Sequence, residues 1–133
     1  MVLDTSALLA ILLDEPERRA FTEAIEAAER RQLSAANFVE TSMILESRYG
    51  AEGVRSLDRL LAAANVEIVA VDLMQAQAAR EAFRQFGKGR HGAGLNFGDC
   101  FAYALAKCRA ELLLFKGEDF LQTDVLRLQP VPL

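Results

Sequence analysis

Residues 1–13 read MVLDTSALLAILL: an apolar start, a lone carboxylate at Asp4, then helix-forming residues with little polar interruption. Val2 and Leu3 read as the end of a short buried strand and Thr5 to Leu13 as a helix, so Asp4 marks a strand-to-helix turn. In DEPE (14–17), Asp14 and Glu17 are spaced as a capping pair and Pro16 suits a first helical turn, which predicts a second helix to about Arg31. LSAAN gives a short strand or loop. NFVETSMILESRYG predicts a helix with Phe38, Val39, Met43 and Leu45 inward, ending near Gly50. Another amphipathic helix is expected over 52–64. VEIVAV is a β-branched strand and Asp72 opens the helix LMQAQAAREAFRQF. The glycine-laced GKGRHGAGLN is a loop, FGDCFAYALAKCRA a helix, ELLLF a buried strand, KGEDFLQTD a loop or short helical turn, and VLRLQPV a last strand. Strands alternate with helices, which predicts an α/β fold whose small parallel sheet is covered on both faces.

The length of 133 residues, 52% of them apolar, suits one compact domain over 1–133, with no repeat, low-complexity tract or linker to divide it. Cys100 and Cys108 lie in one expected helix, separated by about 12 Å of axis, so they do not bridge each other and are expected as reduced thiols in a cytoplasmic protein. The run ALLAILL is too short for a membrane span, which needs about 20 apolar residues, and no basic stretch precedes it, so no targeting segment or anchor is expected. A formal net charge of −4 argues against non-specific attraction to nucleic acid. A polyanion has to be held by local patches or through metal.

Asp4, Glu40, Asp99 and Asp119 all fall just after expected strands or in the first turns of the helices that follow. Each has an ordinary reading: a helix cap for Asp4, an exposed helix residue for Glu40, an Asn96 capping partner for Asp99, turn chemistry for Asp119. Strand ends of a parallel sheet point to one edge, however, so acids after different strands can converge there. Clustered carboxylates raise one another's pKa and need a cation or hydrogen-bond donors to stay ionised. Oxygen ligands suit Mg²⁺ or Mn²⁺, whereas His91 is the only histidine and no Cys/His spacing fits zinc.

The segments VLDTSALLAIL, NFVETSMIL around Glu40, LNFGDCFAYALAK around Asp99 and LLFKGEDFLQTDV around Asp119 resemble the PIN-domain ribonucleases, specifically the VapC toxins of bacterial toxin–antitoxin pairs. The resemblance implies a three-layer α/β/α sandwich and an Mg²⁺- or Mn²⁺-dependent endoribonuclease. By that likeness Asp4, Glu40 and Asp99 match the family's three acids and Asp119 its more variable fourth, with Asp124 close enough in sequence to share that role. It also implies a homodimer and a VapB-type antitoxin that blocks the pocket with a cationic side chain.

Ser6 and Thr123 are candidate donors behind the acids, or caps of a helix and a turn. Arg84, Lys88, Arg90 and His91 sit among glycines as a mobile basic arm able to track RNA, or as a solvated loop. Tyr103 is a candidate for stacking on a base, while Phe97 and Phe101 are expected in the core. Lys116 reads as a strand-end charge or a phosphate contact. A dehalogenase-type phosphatase would need a second acid where Ser6 stands. A receiver-like module lacks its early acidic pair, although Asp72 follows a strand, and a degenerate PIN module that binds metal or RNA without cleavage is the remaining alternative. The expectation is a cytoplasmic metal-dependent endoribonuclease acting on RNA as the toxin of a type II pair.

Overall fold

In the computed structural model, which describes residues 1–128, Val2–Leu3 forms strand β1 and the Asp4 side chain caps helix α1 (Thr5–Leu12). Then follow α2 (Arg18–Ala27), β2 (Gln32–Ser34), α3 (Ala35–Ala63), β3 (Glu67–Val69), α4 (Leu73–Phe86), α5 (Phe97–Arg109), β4 (Leu113–Leu114) and a 3-10 turn at Asp119–Gln122. The strands pair in the order β3-β2-β1-β4, every pair parallel. Alternation across the pleat sorts the core: Val2 and Leu113 join the cluster of α4 and α5, while Leu3, Leu33 and Leu114 join that of α1, α2 and α3. The molecule is therefore the three-layer α/β/α sandwich expected. Among the described residues, no helix is long and apolar enough to cross a membrane.

The order of the strands positions the site. From β1 the chain steps outward to β2 and β3, then returns to lay β4 on the other side of β1. Between β1 and β4 the connections diverge, and the crevice this leaves at the strands' C-terminal ends is where open parallel sheets place ligands. Asp4 follows β1 directly.

Several expectations are corrected. Helix α2 stops at Ala27, short of Arg31, because the Arg31 guanidinium turns back onto the carbonyls of Ile25 and Glu26 and reaches that of Ala64. Asp14 and Glu17 form no capping pair: the Glu17 side chain makes no capping bond to α2, and Asp14, at φ 54°, binds Arg18. The two helices expected on either side of Gly50 are present as the two halves of α3, which breaks at Gly50 (φ 65°, ψ −153°) as read; only the start differs, set early at Ala35 by the Ser34 cap. In α3 the buried stripe is Asn37, Thr41 and Leu45, four residues apart, so Val39 and Met43 point outward, 52% and 63% exposed. Residues 125–128 form no strand, although the Leu113 N–H donates to Leu126 O (2.9 Å); the rest of the expected last strand lies outside the described residues. Cys100 is buried, Cys108 half-buried, and both are free thiols.

Candidate functional site

Each acid is placed by a local device. Asp4 leaves β1 in an extended conformation, and its Oδ2 accepts from the Ser6 N–H (3.0 Å) and the Ser6 hydroxyl (2.5 Å). The Lys116 N–H donates to Ser6 Oγ (2.9 Å), so that hydroxyl turns its own proton to Asp4 and ties the end of β1 to the segment after β4. Asp99 closes a capping box on α5: Asn96 N–H donates to its Oδ2 (3.0 Å) and Asn96 Oδ1 accepts from its N–H (2.9 Å). Glu40 sits on α3, and its Oε1 accepts from the Thr5 hydroxyl (2.5 Å) and Asn37 Nδ2 (3.3 Å).

A common pattern results. In all three carboxylates one oxygen is held by the protein's own donors, and among the described residues Asp4 Oδ1, Asp99 Oδ1 and Glu40 Oε2 accept no hydrogen bond. Asp4 is only 3% exposed, and its Oδ1 is buried without a partner. Burial pushes its carboxyl up to about 7; Ser6 opposes this, and the charges of Asp99 and Glu40 add to it. Burial likewise lifts Asp99 to about 6, opposed by the Asn96 N–H and reinforced by Asp119 and Glu40. Asp4 is thus within electrostatic reach of Asp99 and Glu40, and Asp99 of Glu40 and Asp119, and among the described residues none of the four is in an ion pair. No three of the described acids, histidines or cysteines form a ready ligand shell. An open oxygen site of this kind fits a hard divalent cation that keeps several of its waters.

Asp124 does not share the pocket. Tyr103 and Lys107 bind its carboxylate and hold it below the usual range, led by the Tyr103 hydrogen bond. Tyr103 is consequently buried in the core and corrects the base-stacking expectation, while Phe97, expected inside, is 79% exposed at the start of α5 and packs edge-on against Phe101. Thr123 only ties its turn, donating to Phe120 O (2.8 Å). Lys116 is paired with Glu15 and Glu17.

The residues missed in the sequence are those behind Glu40. Asn37 Nδ2 also donates to Gly98 O (3.0 Å), pinning α3 to the first turn of α5, and the Thr41 hydroxyl donates to Asn37 O (2.8 Å). A Cβ at Gly98 would overlap the Glu40 carboxylate, so the close approach of the two helices requires glycine there. The available signal was the polar pair Asn37 and Thr41, one helical turn apart and flanking Glu40.

A family model described as the PIN domain matches residues 1–126. Ribonuclease VapC30 of Mycobacterium tuberculosis is 54% identical over 125 residues, covering 94% of this chain and 95% of that protein. Among solved structures, the sarcin–ricin-loop-cleaving toxin VapC20 of M. tuberculosis superposes with a TM-score of 0.77 at 15% identity, covering 97% of this chain and 98% of that one. A toxin–antitoxin complex from Klebsiella pneumoniae gives 0.68 at 17%, covering 99% and 98%. The strand order, the acids at its C-terminal edge and a sequence match from end to end of the sheet agree: this chain belongs to the PIN domain family, among its VapC ribonucleases.

Proposed function

We propose that this chain, as one PIN-like domain over 1–133, is the RNA-hydrolysing toxin of a type II toxin–antitoxin pair and that Asp4, Glu40, Asp99 and Asp119 form its catalytic, metal-holding centre. The observation that carries this reading is the buried, unpartnered Asp4 Oδ1 in a pocket of further carboxylates with no protein cation among the described residues to neutralise it. Asp4 Oδ1 and Asp99 Oδ1 would hold a Mg²⁺ or Mn²⁺ ion, with Asp119 beside Asp99. When bound, such a cation supplies positive charge to the phosphodiester oxygens and acidifies water. Glu40, fixed through Oε1 by Thr5 and Asn37, offers Oε2 to accept the proton of the attacking water. Ser6 keeps Asp4 from rotating its free oxygen out of the pocket.

The relatives' identities support RNA as substrate and a VapB-type antitoxin as partner, and an acidic pocket is a natural receptor for an antitoxin arginine. Exposed Val39 and Met43 on α3 and Phe97 on α5 support a homodimer, and the reduced thiols suit a cytoplasmic location. Against the receiver alternative, Asp72 is committed to capping α4 through the Gln75 N–H (2.8 Å).

The test is incubation of antitoxin-free protein with a mixed pool of structured RNAs. Fragments are expected with Mg²⁺ or Mn²⁺ and none in excess chelator. Equal cleavage in chelator would remove the metal from the mechanism, and no cleavage with either ion would favour the degenerate, non-cleaving alternative.

A further inference from the structure

Between α4 and α5 the chain runs GKGRHGAG (87–94), which the sequence marks as a mobile basic arm or a solvated loop. It is neither. Gly87, Ala93 and Leu95 are buried anchors, whereas Lys88, Arg90 and His91 are exposed at the crest between them. Gly87 and Leu95 form a parallel bridge, closed by Lys88 N–H to Leu95 O and Leu95 N–H to Phe86 O, both 2.9 Å. The N–H groups of Arg90 and His91 both donate to Gly87 O, at 3.0 and 3.1 Å. Glycine is demanded at the corners: Gly89 and Gly94 have φ of 82° and 64°, and a Cβ at Gly87 would overlap the carbonyl and ring of Phe83.

The crest side chains are set as well. The Ala93 N–H donates to His91 Nδ1 (3.0 Å) and the ring stands edge-on to Phe86, so the neutral imidazole carries its proton on the outward Nε2. The Arg90 guanidinium lies 5.3 Å from the centre of the Phe83 ring. Among the described residues, neither Lys88 nor Arg90 has an acidic partner. The loop that carries this crest is joined to the elements bearing the acids at two points. The loop leads into Asn96, which caps α5 together with Asp99, and Gln122, from the turn that carries Asp119, donates to Gly92 O (3.3 Å).

We propose that Gly87–Gly94 is a preshaped phosphate clamp, in which Lys88, Arg90 and His91 Nε2 hold backbone phosphates next to the scissile bond of an unpaired RNA strand. The inference rests on the ribonuclease reading and adds to it a binding surface. An unpaired strand is required because a phosphodiester must approach an Asp4 that is only 3% exposed, and the stiff flank of an A-form duplex does not enter such a recess. A clamp already ordered by the fold does not have to be immobilised when the strand arrives, so little affinity is lost to ordering. Cations set among phosphates explain how a protein of net charge −4 holds a polyanion.

The test compares wild type with Lys88→Ala/Arg90→Ala and with His91→Ala, and with Arg48→Ala/Arg59→Ala as a charge-matched control on exposed positions of α3. Affinity for a short fluorescein-labelled oligoribonucleotide and for its duplex is measured in chelator across a salt series; cleavage is measured with Mn²⁺. The loop double variant is expected to bind the single strand about tenfold more weakly at low salt, with the log–log salt slope reduced by about 1.4 for two lost phosphate contacts. KM should rise with kcat little changed, and His91→Ala should show the same in smaller degree. The α3 control and the duplex affinity should not move. Unchanged single-strand affinity in the loop variant, an equal loss in the control, or a loss confined to self-association with RNA binding intact each overturns the clamp. Asp4→Asn separates the two readings: if it leaves cleavage at the wild-type level while the loop variants lose binding, the catalytic assignment fails and the clamp stands.

Discussion

Asp4→Asn is expected to eliminate RNA cleavage and, in the same protein, to raise the stability of the metal-free fold at neutral pH. Loss of a residue that merely supports a metal ligand typically costs 10–100-fold in activity, so removal of the buried carboxylate proposed as the ligand itself should exceed about a hundredfold. The stability change has the opposite sign, for a reason visible in the pocket. The Asp4 carboxyl is raised by burial from 3.8 to about 7. Between those values the folded state binds more protons than the unfolded state, so without metal the contribution of Asp4 to stability falls as pH rises through the window and stays low above it. Asp99, raised to about 6, acts in the same direction. Asparagine has no charge to desolvate, and its amide would face Asp99 and Glu40, which attract a donor. Each pKa unit corresponds to about 1.4 kcal/mol, so the relief at pH 8 is bounded at about 4 kcal/mol, reduced by any imperfect pairing of the new amide. Thermal melts in chelator should show the variant's advantage over wild type small at pH 5 and larger at pH 8. Mn²⁺ should raise the wild-type Tm and leave the variant's nearly unmoved. An advantage that shrinks with pH, or a variant that still cuts, would mean that Asp4 is only the cap of α1.

The parts of this site that were legible in the sequence are those that local chemistry dictates. An acid directly after a strand, a capping pair at Asn96 and Asp99, and alternating strands and helices all declare themselves within a few residues, and the structure places them as read. What could not be read depends on which face of a helix turns inward. Apolar periodicity put Val39 and Met43 inside α3, but the inward stripe there is Asn37, Thr41 and Leu45, because the site end of the helix buries polar groups that hold Glu40. A hydrophobic count cannot find a stripe that is partly polar. Phe97 misled in the same way: its spacing to Phe101 is helical, yet it stands at the first turn of α5, beyond the edge of the core. The loop at 87–94 was legible as a turn from its glycines, whereas its tie to the turn that carries Asp119, Gln122 to Gly92 O, joins residues far apart in the chain and leaves no local signal.

Gly98→Ala should silence the enzyme without unfolding it. Gly98 lies within α5, where alanine is intrinsically favoured over glycine by about 1 kcal/mol, so the substitution does not oppose the helix itself. The conflict is with Glu40, whose carboxylate occupies the space the new methyl needs. A glutamate end can swing away, but here it would have to abandon Thr5 and Asn37, which fix Oε1, and carry Oε2 out of the pocket. The expected result is a cooperative fold with Tm within a few degrees of wild type and kcat reduced at least about tenfold to a hundredfold, the range for losing the support of a catalytic group. A double-mutant cycle decides whether the loss runs through Glu40. If the methyl acts by displacing that carboxylate, Glu40→Gln and Gly98→Ala remove the same contribution, and the double variant should be no slower than Glu40→Gln alone. Losses that multiply would place the effect of Gly98 elsewhere, for instance in the Asn37 contact to its carbonyl, and full activity of Gly98→Ala would show that Glu40 does not need the position it occupies.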